Sequence, residues 1–151
     1  MGLSVHSDEH FMGEALKQAQ YAFDEGEVPV GAVVVSENRI ISRAYNQVER
    51  LQDVTAHAEM LAITAAQEYL GAKYLQKCSI YVTLEPCTMC AGAIYWSQIE
   101  KVVYGASDEQ KGFQRLKPNI LTGKTKVISG LQAEACKSLV DQFFNKVRRN
   151  N

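Results

Sequence analysis

The 151-residue sequence predicts a single α/β domain over residues 1–151, with helices on both faces of a mixed sheet of about five strands. Apolar residues at helical spacing alternate along the chain with short stretches rich in β-branched residues. Glycines and prolines separate these segments, and neither a linker nor an internal repeat divides the chain. A composition of 46% apolar and 22% charged residues is typical of a globular domain with a sizeable core. These observations together indicate a layered α/β architecture.

The first third of the chain predicts a helix followed by a β-hairpin. An apolar stripe at helical spacing runs along residues 8–24, and Gly26 stands where such a helix would end. The segment VPVGAVVVS predicts a buried strand, because β-branched residues pack well on a covered, pleated surface. After the turn SENR, the segment IISRAYN predicts the second strand of the hairpin.

The middle of the chain alternates helix and strand. The segment TAHAEMLAITAAQEYL is rich in helix-forming residues and predicts a helix that ends at the following glycine. SIYVTL and KVVYGA predict two strands, and between them PCTMCAGAIYWS predicts a helix with Pro86 at its first position. Strands that alternate with helices are expected to pair in parallel through right-handed crossovers.

The last third is less regular and ends in a helix. Residues 106–125 show no periodic pattern, and TKVIS predicts a short final strand. Apolar residues then recur every four positions, which predicts an amphipathic C-terminal helix. These residues are Leu131, Ala135, Leu139, Phe143 and Val147.

The net charge of -1 conceals an asymmetry along the chain. Residues 1–100 carry 13 acidic and 6 basic side chains, whereas residues 101–151 carry 4 acidic and 10 basic ones. A basic region on an acidic body is a feature of proteins that bind polyanions. Lysines and arginines also cover ordinary solvated surfaces, and charge alone favours that interpretation.

The cysteines and the N-terminal segment indicate a reduced, cytoplasmic protein without a membrane anchor. The start of the chain lacks the basic and apolar regions of a secretory signal. No apolar run approaches the roughly 20 residues that a membrane-spanning helix needs. In such a protein, closely spaced cysteines are expected to bind a metal or act in catalysis rather than form a disulfide.

Cys87 and Cys90, in the segment TLEPCTMCAGA, form the pair that decides the functional interpretation. The pair is compatible with a redox dithiol, a structural zinc site, a catalytic metal site or two buried small residues. On a helix the two thiols share one face, one turn apart, and the positive end of the helix dipole favours thiolate there. Cys78 and Cys136 have no close partner in sequence, and we expect both to be buried small residues.

His57 and Glu59 favour the catalytic metal site. His57 lies thirty positions before Cys87, at the start of the preceding predicted helix. Successive crossover helices bring their N-termini to the carboxyl edge of the sheet, where ligand sites of α/β proteins are found. Three protein ligands leave a fourth zinc position for water, and the non-ligating Glu59 carboxylate would move its proton. The redox and structural zinc interpretations are weaker, although sequence alone leaves Cys78 and Cys136 open as ligands.

The segments HAE and PCTMC match the pattern H-x-E…P-C-x-x-C of zinc-dependent nucleobase deaminases. Other segments resemble the bacterial tRNA adenosine deaminases, namely EVPVGAVVV, YN, YVTLEPCTMCAGAI and VVYGASD. The resemblance implies a cytidine-deaminase-like α/β/α fold and a homodimer that binds the tRNA anticodon stem-loop. It further implies that zinc-activated water converts the wobble adenosine to inosine.

The same resemblance assigns the site residues. His57, Cys87 and Cys90 would bind one Zn2+ per subunit, with Glu59 as general acid and base. Asn46 would hold the target base, although it also suits a turn at the end of a strand.

Further residues are implied to contact the substrate. Asp108 would contact the substrate backbone, with an ordinary loop carboxylate as the alternative. Phe144 would stack on a nucleobase or occupy a second core position, and Arg148 and Arg149 would bind phosphates or lie in a solvated terminus.

Two features of the sequence are compatible with more than one substrate. The segment EQKGFQRLKPNILTGKTK departs from the family pattern in a region expected near the substrate entrance. The zinc motifs also suit a deaminase of a free base or nucleoside, such as guanine or cytosine. A zinc-stabilised RNA-binding subunit without catalysis is a third hypothesis, but such a protein has no need for the Glu59 carboxylate.

Overall fold

Five strands and five helices make up the part of the chain that the structure, a computed structural model, describes, residues 6–150. The strands are β1 (Gly31–Ser36), β2 (Arg39–Tyr45), β3 (Cys78–Leu84), β4 (Lys101–Ala106) and β5 (Lys126–Ile128). The helices are α1 (Asp8–Asp24), α2 (Val48–Leu51), α3 (Ala58–Leu70), α4 (Thr88–Ser97) and α5 (Ala133–Arg149). All elements that the sequence predicts are present.

The strands form one mixed sheet in the order β2-β1-β3-β4-β5. β1 pairs antiparallel with both β2 and β3, whereas β3, β4 and β5 run parallel to one another. Because of this topology, the carboxyl ends of β2, β3 and β4 lie at one edge of the sheet, beside the start of β1. The predicted hairpin and the predicted parallel neighbours are both confirmed.

Helices cover both faces of the sheet, as predicted. On one face, α3 and α4 bury their apolar residues against alternate strand residues such as Val34 and Val82. On the other face, α1 and α5 pack against the intervening residues, such as Val33 and Val103. β1 is therefore buried on both faces, which explains why its sequence is a continuous apolar run rather than an alternating one.

Helix α4 begins two residues later than the sequence predicts. Cys87, in an extended conformation, is the N-cap residue, and the first helical residue is Thr88. Pro86 therefore precedes the cap instead of occupying the first helical position, and its carbonyl accepts a hydrogen bond from the Phe113 amide at 2.9 Å. Helix α3 likewise begins at Ala58, with His57 as its N-cap residue. The two cap positions leave both side chains outside the helix.

The buried face of α5 differs from the predicted stripe. Ala135 and Val147 are exposed, whereas Cys136 and Phe143 are buried. The reason is geometric, because residues four apart advance by about 40° more than a full turn and leave the buried face after a few steps. Cys78 is buried as well, so the prediction for both isolated cysteines is confirmed.

Two short elements are not predicted from the sequence, α2 and a 3-10 turn at Phe113–Arg115. Each is too short to produce an apolar period. Among the helices of residues 6–150, none is long and apolar enough to cross a membrane. The first five residues, which belong to the segment that lacks the features of a secretory signal, lie outside the described residues.

Gly31 and Gly13 provide a matched test of how closely α1 approaches β1. A methyl group at Gly31 would overlap the backbone of Ala15 and Ala19, whereas one at Gly13 would meet nothing within 4 Å. We expect Gly31→Ala to lower the free energy of unfolding by about 1–3 kcal/mol, because backbone atoms must move. Gly13→Ala should raise it by about 0.5–1 kcal/mol through higher helix propensity.

Urea unfolding followed by circular dichroism measures both changes. A Gly31→Ala protein as stable as the parent would contradict the close contact between α1 and β1.

Candidate metal centre and substrate cavity

A cavity of about 1180 Å3 opens at the carboxyl edge of the sheet. Its walls come from the loop between α1 and β1, the end of β2, the starts of α3 and α4, the loop after β4, and α5. Parallel strands place the residues that follow them at this edge, which is the expected position for a ligand site in an α/β sheet.

His57, Cys87 and Cys90 converge at one side of this cavity. The Nδ1 atom of His57 lies 3.7 Å from Sγ of Cys87 and 3.5 Å from Sγ of Cys90. One potential ligand atom from each residue lies within 4.8 Å of the others, and within residues 6–150 this is the only such group of three or more. The two N-cap positions and the next turn of α4 therefore assemble three soft or borderline ligands of the kind that zinc prefers.

The protonation equilibria of these three side chains depend on one another. A hydrogen bond from the Cys90 thiol, followed by the interaction with His57, lowers the pKa of Cys87 to about 4. The same bond, with burial, raises the pKa of Cys90, and the bond to Cys87 raises the pKa of His57. A second thiolate would need a further positive charge nearby, and a divalent cation supplies one. The chemistry of these donors thus fits a metal.

Glu59 lies in the first turn of α3, only 4% exposed, and lines the same cavity. Burial raises the pKa of its carboxyl group to about 7, and the carboxyl interacts with the Cys90 thiol. It is not part of the three-residue ligand group. A carboxyl group that titrates near neutrality can accept and return a proton, which is what general acid and base catalysis requires.

Asn46 brings an unpaired hydrogen-bond acceptor to the cavity. It follows β2 and is 7% exposed, and its Nδ2 atom donates to the Val28 carbonyl at 3.3 Å. Its Oδ1 atom is buried and has no hydrogen-bond partner among the described residues. Leaving a buried acceptor unpaired costs about 1–3 kcal/mol, so a bound molecule with a donor at this point would gain affinity.

The structure separates the remaining predicted site residues into two groups. Asp108 and Phe144 line the cavity. Phe144 is 40% exposed and so does not occupy the second core position, which leaves Phe143 as the buried ring. Arg148 and Arg149 lie on the exposed end of α5 beside Asn145 and do not reach the cavity wall.

Asp108 has a local structural role in addition to facing the cavity. Its Oδ1 atom accepts hydrogen bonds from the amides of Gln110 and Lys111 at 3.1 Å and 3.0 Å. The side chain thus shapes its own loop, as the alternative interpretation of this residue expected.

Only the first part of residues 106–125 lies at the cavity. Residues 106–111 line it, but Leu121 is buried in the core and Thr125 donates to the Ile99 carbonyl. The expectation that the whole segment lies near the substrate entrance is therefore wrong for its second part. β5 runs parallel to β4, so the chain must return to the opposite edge of the sheet before β5 begins.

Sequence analysis missed two buried carboxylates in the cavity wall, Glu27 and Glu85. Glu27 accepts hydrogen bonds from the amides of Glu49 and Arg50 at 3.0 Å and 2.8 Å and so holds the loop that follows Asn46. Glu85 binds the loop that follows β4. Both stand inside segments that resemble the family, EVPVGAVVV and YVTLEPCTMCAGAI, which were the available signal. Neither belongs to the H-x-E…P-C-x-x-C pattern itself.

Comparison with known proteins identifies a family. The family model described as the cytidine and deoxycytidylate deaminase zinc-binding region matches residues 5–106. A tRNA-specific adenosine deaminase of Aquifex aeolicus is 47% identical over 147 residues, which are 94% of this chain and 97% of the relative.

Solved structures show the same fold. One, from studies of A-to-I editing by tRNA:A34 deaminases at the wobble position of transfer RNA, has a TM-score of 0.81 at 41% identity. The match covers 86% of this chain and 98% of that one. A guanine deaminase from Nitrosomonas europaea has a TM-score of 0.78 at 25% identity, over 91% and 84% of the two chains. The predicted resemblance to this fold family is confirmed.

The four cysteines should differ sharply in reactivity. In zinc-free protein we expect iodoacetamide to modify Cys87 first, because its low pKa keeps it a thiolate and it is only partly buried. Its rate should change little between about pH 8 and about pH 6, whereas an ordinary thiol would slow roughly a hundredfold. Peptide mass spectrometry measures each rate.

Zinc provides the control for this experiment. Adding Zn2+ should protect Cys87, while Cys78 and Cys136 stay unreactive in folded protein because burial raises the pKa of both. Equal alkylation of Cys87 with and without zinc would show that its sulfur is not a ligand.

Proposed function

This chain belongs to the cytidine and deoxycytidylate deaminase family, and on that basis we propose that it hydrolyses wobble-position adenosine in tRNA to inosine. The observation that carries the proposal is the convergence of a His/Cys/Cys ligand group and a buried carboxyl in one cavity. The relatives named for tRNA support the choice of substrate, since that of Aquifex aeolicus is 47% identical over 94% of this chain. Guanine deaminases are 25% identical over 91% of the chain (Nitrosomonas europaea) or 41% identical over only 67% (Bacillus subtilis).

His57, Cys87 and Cys90 hold one Zn2+ per chain in this proposal. Both cysteines lie at the start of α4, where the helix dipole stabilises their negative charge. Three protein ligands leave one tetrahedral position open. When bound, Zn2+ supplies the Lewis acidity that makes water nucleophilic at neutral pH.

Glu59 moves the protons of the reaction. Its carboxylate carries the first proton of the attacking water to N1 of adenine, and then carries the second, from the hydroxyl now attached to C6, to the departing amine. The water oxygen forms a bond to C6, the bond from C6 to the exocyclic nitrogen breaks, and ammonia leaves. The raised pKa of the buried Glu59 carboxyl suits this exchange, because neither protonation state is strongly preferred near neutrality.

Asn46 and Asp108 position the substrate. The unpaired Oδ1 of Asn46 accepts a hydrogen bond from an N–H of the base. Asp108 contacts the substrate backbone, and its negative charge favours a ribose hydroxyl over a phosphate.

The end of α5 binds the anticodon stem-loop. Phe144 lies at the mouth of the cavity with an exposed face on which an unstacked loop base can stack. Arg148 and Arg149 lie beyond the cavity on the exposed end of α5, where a polynucleotide would place its phosphates.

One observation favours deamination of a free base as the second candidate, namely the similarity in fold to a guanine deaminase. The cavity, about 1180 Å3, exceeds the roughly 300–1000 Å3 of typical small-molecule sites, so a single base would leave much of it unfilled. A noncatalytic zinc-stabilised RNA-binding subunit does not explain the buried Glu59 carboxyl. The free cysteines suit a reducing, cytoplasmic location.

Glu59→Gln should lower kcat for deamination by about 10²–10⁴-fold, because the amide cannot transfer the protons. Zinc content and affinity for an anticodon stem-loop should stay unchanged. Glu68→Gln, an exposed position on the same helix, is the control and should retain full activity. Full activity of the Glu59 variant would contradict the assigned role.

The substrate panel for the same assay consists of an adenosine-containing anticodon stem-loop, free adenosine, guanine and cytosine. We expect inosine in the stem-loop and little ammonia from the other compounds. Arg148→Ala should weaken stem-loop binding and reduce the dependence of log Kd on log salt by about one. Turnover of guanine with an inert stem-loop would overturn the tRNA assignment.

We also propose that two copies of the chain pair through the exposed side of the α3–α4 layer. Trp96 is 74% exposed there, and Tyr95, Tyr69 and Leu70 are exposed beside the same helix ends. An apolar patch of this kind marks an interaction surface.

Trp96→Glu should therefore convert a dimer to a monomer in analytical ultracentrifugation, because a buried unpaired carboxylate is costly. Tyr21→Glu, on the opposite helix layer, is the matched control and should leave the mass unchanged. A parent protein that sediments as a monomer at all concentrations would contradict the pairing.

A further inference from the structure

We propose that Glu85 is a positioning residue that fixes the loop after β4, residues 107–114 (the cavity loop), as a wall of the substrate cavity. The expected effect of Glu85 on RNA binding rests on the proposed function, whereas its effect on the position of the loop does not. Glu85 is the residue that follows β3, two positions before Cys87 in the chain. It is 6% exposed and lines the cavity.

Both carboxylate oxygens of Glu85 bind the cavity loop, one at each end. Oε1 accepts a hydrogen bond from the Asp108 amide at 2.9 Å, and Oε2 accepts one from the Gln114 amide at 2.9 Å. Hydrogen bonds to an ionised acceptor are stronger than those between neutral groups, more so when water is excluded. One side chain thus closes the loop between two of its backbone amides.

Backbone contacts align the loop with the start of α4. The Glu85 amide donates to the Ala106 carbonyl at 2.8 Å, and the Phe113 amide donates to the Pro86 carbonyl at 2.9 Å. Cys87 and Gly112 form an isolated antiparallel bridge. The loop that carries Asp108 and the segment that carries Cys87 are therefore held in one register.

Gly112 is required by its closeness to Glu85 rather than by its backbone conformation. Its φ of -66° is accessible to any residue, but an added methyl group would overlap the Glu85 carboxyl. Because Gly112 has no Cβ, the loop backbone can lie directly against the buried Glu85 carboxylate at the end of β3.

The far end of the cavity loop has two further anchors, because Phe113 is buried and the Gln114 side chain donates to the Tyr104 hydroxyl at 3.0 Å. Residues 107–111 are less firmly held. Ser107, Glu109, Gln110 and Lys111 are exposed, and the Asp108 side chain bonds only within the loop. The first part of the loop, which carries Asp108, therefore depends on Glu85 for its position. A change at Glu85 should alter substrate binding before it alters the metal ligands, which lie at the starts of α3 and α4.

Glu85→Gln tests this role with little change in shape. The amide retains one acceptor, but its NH2 group faces a backbone N–H, so one of the two bonds is lost. We expect hydrogen exchange at the Asp108 and Gln114 amides of the zinc-loaded protein to accelerate about tenfold or more, with α4 unaffected. KM for the anticodon stem-loop should rise about tenfold while kcat and zinc content change less than about twofold.

Asp8→Asn is the matched control for a general loss of stability. Asp8 is a partly buried carboxylate that accepts hydrogen bonds from the Tyr81 hydroxyl at 2.5 Å and from Lys101 at 3.0 Å, at the opposite edge of the sheet. Its replacement should lower the unfolding midpoint without faster exchange in the cavity loop.

Gly112→Ala reaches the same contact from the loop and serves if Glu85→Gln fails to fold. It should also accelerate loop exchange, and it should have little further effect in a Glu85→Ala background, where the overlapping carboxyl is gone. Additive effects of the two substitutions would overturn the direct contact as the cause.

Three results would overturn the inference. They are unchanged loop exchange in Glu85→Gln, loss of zinc from that variant, or a fall in kcat at constant KM. If the parent protein deaminates no stem-loop but loop exchange responds as expected, the proposed function fails and the positioning role stands.

Discussion

Helices α3 and α4 begin side by side at the carboxyl edge of the sheet, and the candidate metal centre and the cavity around it exist because they do. His57 caps α3 and Cys87 caps α4, and both side chains leave their helices in extended backbone conformations. The parallel pairing of β3 with β4, and the antiparallel pairing of β1 with β2 and β3, bring these helix starts to one edge. With Cys90 one turn further, the ligand atoms come within 4.8 Å of one another. The helix dipoles point their positive ends at the same place, so the fold favours thiolates where the chemistry needs them.

Three buried carboxylates surround this centre, and their partners decide what each does. Glu59 accepts no hydrogen bond from a loop amide among the described residues. Burial raises the pKa of its carboxyl group to about 7, which suits proton transfer. Glu27 and Glu85 each accept hydrogen bonds from two backbone amides. Glu27 holds the cavity wall that follows β2, and Glu85 holds the wall that follows β4. Residues of one chemical type thus divide into a reactive group and two anchors. The same cavity contains Asn46 with a buried oxygen that no described residue pairs, which marks the place where a ligand contributes a donor.

The helices and strands could be predicted from the sequence more completely than the walls of the cavity. The hairpin, the parallel strands and both helix layers follow from apolar periodicity and from turn residues, because each of these signals is local. The exact buried face of α5 does not follow from these signals. A spacing of four residues exceeds the 3.6-residue turn, so the predicted stripe leaves the buried face, on which Cys136 lies instead of Ala135. The expectation that all of residues 106–125 lie near the substrate entrance is wrong for a different reason. The second half of this segment must reach the start of β5, and only the parallel pairing of β4 with β5 shows which edge that is.

The side chains that meet at this centre follow from sequence: HAE and PCTMC supply one imidazole, one carboxyl group and two thiols close to the starts of two consecutive helices. Those features are encoded in residue identity and in short spacing, which one chain displays directly. Three features became visible only in the folded chain. They are the size of the cavity, the exposure of Phe144 on its lining with Arg148 and Arg149 beyond it, and the support of its walls by Glu27 and Glu85. These depend on contacts between segments far apart in sequence, such as Glu85 with Gln114 and Glu27 with Arg50, and no local pattern carries that information.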